Sequence, residues 1–246
     1  MFRTTCAAFF TLLISTANVL ANDNFNVLGV APGQALTQEQ LNAAIENIAT
    51  KIKLVEDSEF PVIDESKTQP YEIWKYSLFG ESEVVALSML VVPQKKLYLI
   101  SRVERTADYK KLREAPVLED LKNSVAKKYG EISLISMDQI RSDGTSDYSD
   151  YRVLFKSGEI GRTEESLRQC EFNKKHGPTG YDEKCKTVMH FNAYAKPISL
   201  GGKQTLMVTT YTISISDVEV SRMLSAQRLK DKQNTESTPR RNEPEL

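Results

Sequence analysis

Two segments of this chain repeat apolar residues at helical spacing, and each is followed by a run of strand-prone segments joined by short turns. Leu41, Ile45, Ile48 and Ile52 recur at intervals of four, three and four, which draws one apolar stripe along a helix. Thr37 and Gln40 stand ahead of it in the positions of a capping box. Leu118, Leu121, Val125 and Tyr129 make a second stripe, with Pro116 expected at the first helical position and Gly130 as the stop. Strands are expected at 53–56, 71–78, 84–92 and 97–105 after the first helix, and at 132–137, 151–156, 186–195 and 204–215 after the second. Strands linked by short turns pair antiparallel. The order predicts an α+β fold of two halves, each an amphipathic helix packed on an antiparallel sheet of about four strands. The boundaries fall at 22–107 for the first half and 108–230 for the second.

Finer expectations follow from the same pattern. The run 84–92 (EVVALSMLVV without its Glu) lacks polar alternation, so both its faces should be covered. In 97–105, Leu97, Leu99 and Val103 should point one way, and Lys96 just before it, Arg102 and Glu104 the other. The polar stretch 138–150 reads as a loop, and Gly201-Gly202 as a hairpin turn. Residues 216–219 (SDVE) should cap a last helix ending about Lys230, and the charged remainder 231–246, with two prolines, should be a disordered tail.

Residues 1–21 have the layout of a cleavable secretory signal: Arg3, the apolar run AAFFTLLI at 7–14, and Val19 and Ala21 at the small-residue positions before the expected cut. That run is too short to cross a bilayer core of about 30 Å. The mature chain is therefore expected in the periplasm or secreted, without stable membrane insertion. Losing Arg3 leaves 31 basic against 33 acidic residues. This near-neutrality argues against nucleic acid as a main partner. Of the three cysteines, only Cys170 and Cys185 survive cleavage. In an oxidising compartment they are expected to form a disulfide, closing a loop rich in charge, Gly and Pro. His176 lies inside that loop and His190 follows it, but no C-x-x-C or H-x₃-H spacing supports zinc.

Other constellations are weaker. Ser124 and Lys127 match S-x-x-K, and Lys156-Ser157-Gly158 resembles K-T-G, but the segment between them is too short for the elements that such enzymes need. Asp143, Asp147 and Asp150 are acidic without the alternate spacing of a calcium loop. His190 reads as a solvent-facing sheet residue opposite Met189, Phe191 and Ala193. Tyr71, Trp74 and Tyr76 fit either an exposed binding surface or the core, the core being favoured by burial trends.

The stretch FNVLGVAPG at 25–33, followed by an amphipathic helix, resembles the LG-x-x-x-G-x-x-x-x-E opening of bacterial envelope proteins. It is similar to the outer-membrane assembly lipoprotein BamE and to the tandem β-lactamase inhibitory protein. The stretch PVLEDLKNSVAKKYG at 116–130 is similar to the P-x-L-x-x-L-x-x-x-L-x-x-K-Y-G segment that opens the second half of uncharacterised secreted proteobacterial proteins. The chain lacks the lipidated Cys of the lipoprotein members. The resemblance implies a non-enzymatic scaffold that binds another protein, as an inhibitor, an immunity-type protein or an envelope assembly factor. Loops on rigid scaffolds commonly carry recognition, so the loop residues Lys174, Lys175, His176 and Tyr181 are the candidate contacts. No catalytic, cofactor-binding or metal-binding residues are assigned. A periplasmic hydrolase with an unrecognised site and a small-ligand or lipid carrier are the alternatives.

Overall fold

A computed structural model describes residues 25–55, 60–63, 72–92, 95–134, 136–171, 173, 175, 177 and 180–237. The expected signal, 1–21, lies outside them. The first helix, α1 (Gln38–Ile52), forms where the stripe predicts it. The amide of Gln40 donates to Thr37 Oγ1 and the amide of Thr37 donates to Gln40 Oε1, so two first-turn donors are satisfied reciprocally. Leu41, Ile48 and Ile52 are buried, and Ile45 packs beside them. Lys53 closes the helix in a left-handed conformation, and Leu54 makes only an isolated bridge to Gly80. The strand expected at 53–56 is therefore not formed over residues 53–55.

The second helix, α2 (Leu118–Tyr129), buries Leu118, Val125 and Tyr129. Pro116 is not its first residue. The amide of Val208 donates to the Pro116 carbonyl, and Val117 bridges to Met207, so this segment is held extended before the helix starts.

Among the described residues ten strands follow in chain order: β1 (Ala35–Thr37), β2 (Phe60–Ile63), β3 (Glu72–Phe79), β4 (Glu83–Val92), β5 (Leu97–Asp108), β6 (Met137–Ile140), β7 (Ser146–Phe155), β8 (Ile160–Gly161), β9 (Cys185–Leu200) and β10 (Lys203–Asp217). They form one antiparallel sheet in the order β2-β3-β4-β5-β10-β9-β7-β6, with β1 on β5 and β8 on β7. This corrects the expectation of two halves with separate sheets. The strands that follow α1 and those that follow α2 are joined by a hydrogen-bonded seam, running from Thr210↔Asp108 to Ser216↔Arg102. One continuous hydrophobic core spans that seam, from Leu41 and Ile48 of α1 to Val125 and Tyr129 of α2. Burying the edges of both strand sets against each other removes two lines of unpaired peptide groups.

Several local readings shift for identifiable reasons. In β4, Val85, Leu87, Met89 and Val91 enter the core, while on the second face Leu90 is buried and Val84, Ala86 and Ser88 are half-buried, so that face is covered in part. Small and apolar residues on the second face hid the alternation. In β5 the register jumps from Ser88↔Arg102 to Met89↔Ile100, leaving Ser101 as an extra residue. That bulge changes the phase, so Tyr98 and Ile100, rather than Leu97 and Leu99, share the core face with Val103. The expected loop 138–150 is largely strand: β6 and the first half of β7 flank a tight turn in which Arg141 donates its amide to the Thr145 carbonyl. Gly201 and Gly202 both have positive φ, as a two-residue hairpin turn demands.

The remaining helices are α3 (Glu164–Cys170), capped by Thr163, and α4 (Val218–Ser237). The buried Asp217 carboxylate accepts from the Val220 amide and caps α4, which continues past Lys230 into the segment expected to be disordered. A second, smaller apolar cluster joins Val153, Cys170, Cys185 and Val218, with Tyr181 and Val188 against it.

Candidate functional site

Alternation assigns each strand residue to one of two faces. On the core face, Met189, Phe191 and Ala193 of β9 lie beside Ile213 and Ile215 of β10 and under α1 and α2. The opposite face is polar over its middle. One row crosses four strands as Glu104, Ser214, His190 and Tyr151. The next row reads Thr106, Thr212, Asn192 and Ser149, and a third Asp108, Thr210, Tyr194 and Asp147. α3, the start of α4 and the disulfide cover one end of this face, over Val188 and Val153.

Its side chains hold one another in place. The His190 ring stacks on Tyr151 with centroids 4.2 Å apart and planes 3° from parallel. Asn192 donates to Ser149 Oγ at 3.1 Å and to Asp147 Oδ1 at 3.4 Å. The Thr106 and Thr212 hydroxyls meet at 3.1 Å. Arg102 pairs with Glu104. Arg141 lies 3.7 Å from Asp147 and its guanidinium sits over the Tyr194 ring. His190 Nε2 is buried and has no hydrogen-bond partner among the described residues. Burial, reinforced by the Arg102 charge and partly offset by Asp150, holds the His190 imidazole below its ordinary value, so it is neutral at pH 7.

This row does not assemble a nucleophilic relay. A Ser–His–acid relay needs the imidazole between hydroxyl and carboxylate. Here Ser214 stands between Glu104 and His190, and Glu104 is engaged by Arg102. Among the described residues no group of three His, Cys, Asp or Glu side chains is placed to hold a metal ion. Asp143 accepts from Thr145 in the turn, Asp147 lies on the polar face, and Asp150 points into the interior. Asp147 and Asp150 have opposite parity in β7, so their side chains lie on opposite faces of the sheet.

The interior carries its own polar group. Asp150 and Arg152, both essentially inaccessible, form an ion pair at 2.8 Å on the core side of β7. The Ser133 amide donates to Asp150 and Arg152 Nε donates to the Glu131 carbonyl. Burial pushes the Asp150 carboxyl up and the Arg152 guanidinium down, and each opposes the other's shift.

Cys170 and Cys185 form a disulfide with Cα atoms 5.5 Å apart, tying the end of α3 to the start of β9. Of the loop candidates, Lys174 and His176 lie outside the described residues. Lys175 is exposed. Tyr181 packs on the disulfide cluster and lines a cleft of about 440 Å³ between α4 and the sheet, together with Ile73, Arg102, Val188 and Leu224. Ser124 donates to the Asp120 carbonyl within α2, and Lys156 pairs with Glu219 of α4, so the S-x-x-K and K-T-G look-alikes are engaged separately. Trp74 meets Tyr98 edge-on, and Tyr76 also packs against the core. Tyr71 lies outside the described residues. Among the described residues no helix is long and apolar enough to cross a membrane.

Of the polar face, the sequence singled out His190 and Asp147 and set Arg102 and Glu104 opposite Val103. The neighbours of His190 on β9 were legible as the polar half of an alternation, but nothing local announced that β5, β7, β9 and β10 would be brought side by side. Comparison with known proteins returned no matching family model, no matching curated protein and no matching solved structure.

Proposed function

We propose that this chain is an exported, non-catalytic module that binds another protein on the polar face of its sheet. The carrying observation is the block of Tyr151, His190, Asn192, Tyr194 and Thr212, partly exposed on neighbouring strands on the face opposite α1 and α2. Tyr, Asn, Ser and Thr on a rigid frame offer contact area and hydrogen bonding at small entropic cost. The disulfide supports an oxidising compartment, in keeping with periplasmic placement or secretion. Inhibitor, immunity-type and envelope assembly roles all fit this reading.

The test is site-specific photo-crosslinking in envelope extracts, with benzoylphenylalanine placed at Asn192 on the polar face or at Glu46 on the exposed side of α1. The reading expects one stoichiometric protein adduct from position 192, lost when Tyr151 and His190 are both changed to Ala, and none from position 46. Absence of adducts from the face, or equal adducts from both positions, would refute it. The cleft under α4 favours one second reading, a small-ligand carrier, because its apolar wall of Ile73, Val188 and Leu224 faces Arg102. Binding of an amphiphilic probe that is abolished by Leu224→Arg would support that alternative.

A further inference from the structure

The bulge in β5 shapes the floor of the cleft under α4. Ser101 and Arg102 are consecutive, and in a regular strand they would point to opposite faces. Both line the cleft, because the register steps from Ser88↔Arg102 to Met89↔Ile100 and leaves Ser101 as the extra residue. Ser101 Oγ donates to the Ser88 carbonyl at 2.9 Å, which holds the turned side chain in place. Bulges that re-aim a side chain are over-represented beside functional sites.

The same register sets what stands around Arg102. Its cross-strand neighbours are Ser88 of β4 and Ser216 of β10, and Val188 of β9 lies beyond Ser216. Small side chains on both flanks leave the guanidinium within reach, and the Arg102 side chain is 50% exposed. Its carboxylate partner, Glu104, is itself partly exposed, and exposed pairs of this kind hold their members weakly. Arg102 is the one cation among the described residues lining the cleft. Most of the remaining wall is apolar, with Ile73 from β3, Val188 from β9 and Leu224 from α4. The volume of about 440 Å³ falls within the roughly 300–1,000 Å³ of small-ligand sites, which combine apolar walls with a few placed polar groups.

We propose that this cleft binds a single-tailed anionic amphiphile, its carboxylate head on Arg102 between Ser88 and Ser216 and its apolar tail along Val188 and Leu224. The proposal rests on the ligand-carrier reading of the cleft and supplies the ligand class. Charge selects the occupant. A cationic head would meet the like charge of Arg102, and a neutral head would forgo a charge-assisted hydrogen bond. Glu171, the other charged side chain of the lining, is exposed and disfavours a second negative charge, so the head is a monoanion.

Isothermal titration calorimetry of the oxidised mature chain with decanoate, decanol and decyltrimethylammonium, each below its micelle concentration, reads the head group directly. Decanoate is expected to bind tightest, and each added methylene of the carboxylate series should tighten binding about fourfold until the cleft is filled. Arg102→Gln should weaken decanoate by about tenfold or more and leave decanol unchanged. Glu104→Gln, which frees Arg102, should tighten decanoate. Both positions are partly exposed, so both variants should keep the native circular dichroism. Equal affinity for the three head groups, or decanoate binding indifferent to Arg102→Gln, overturns the proposal while leaving a carrier cleft. Failure of all three probes to bind overturns the proposal and the carrier reading together. Neither result bears on crosslinking from Asn192.

Discussion

His190 lies flat against Tyr151 across the β7–β9 ladder, and this stack anchors the polar face without a bond to His190 Nε2 among the described residues. Replacing either ring by Ala is expected to leave the fold intact, since both are only half-buried and neither belongs to the main core. Near-native far-ultraviolet dichroism with a melting temperature within a few degrees is the expected outcome, checked by thermal denaturation. Surface substitutions away from the core usually stay within about 0.5 kcal/mol.

The same imidazole sets a pH dependence. Its value in the folded chain lies below the ordinary one, so between the two the unfolded chain binds more protons than the folded chain. Stability contributed by neutral His190 is therefore full above about pH 6.5 and is lost as pH falls from there, levelling off below the folded value. Urea denaturation at a series of pH values should show a decline between neutral and mildly acidic pH that is flatter in His190→Gln.

Reduction of Cys170–Cys185 should destabilise the chain by about 3 kcal/mol, because the bond closes a short loop in the unfolded state. Both sulfurs are buried with Val153 and Val218, so α3 and the start of α4 should loosen first. Denaturation with and without reductant measures the first effect. Hydrogen exchange in α3 measures the second.

Asp150 and Arg152 predict an asymmetry. Arg152→Ala leaves a buried carboxylate without its counter-charge and should cost about 3–5 kcal/mol. Replacing both residues by Leu and Met should cost far less, as paired burial of charge offsets little of its own desolvation. A double-mutant cycle by urea denaturation separates the two.

Gly80 tests close packing of backbone on backbone. A Cβ there would stand 2.1 Å from the Ile52 carbonyl oxygen, where α1 ends and Leu54 bridges to Gly80. Gly80→Ala should cost at least about 1–3 kcal/mol, the range for overpacking, by forcing that junction apart. Equilibrium unfolding is the measurement.

Local patterns made some of this legible. The stripe of α1, its Thr37–Gln40 cap and the Gly201-Gly202 turn all depend on neighbours in sequence, and each formed where expected. The Ser101 bulge did not show, because one extra residue changes the face of those before it while leaving composition untouched. The β6–β7 hairpin was hidden by its acids. Asp138 is satisfied by Ser146 across the pair and by Lys122 of α2, and Asp150 by Arg152 on its own strand, so polarity that reads as loop is consumed by partners in the fold. The β5–β10 seam left no trace at all, since it joins residues about a hundred positions apart, and with it went the extent of the polar face.

We propose that this face, and no reactive group, does the work. Its most direct test is the affinity of the crosslinked partner, once identified, for the wild-type chain and for Tyr151→Ala/His190→Ala. A loss on the order of 2 kcal/mol or more, about thirtyfold, is predicted from removing central anchors. Unchanged affinity would contradict the account, as would steady turnover of a substrate that a single side-chain change abolishes.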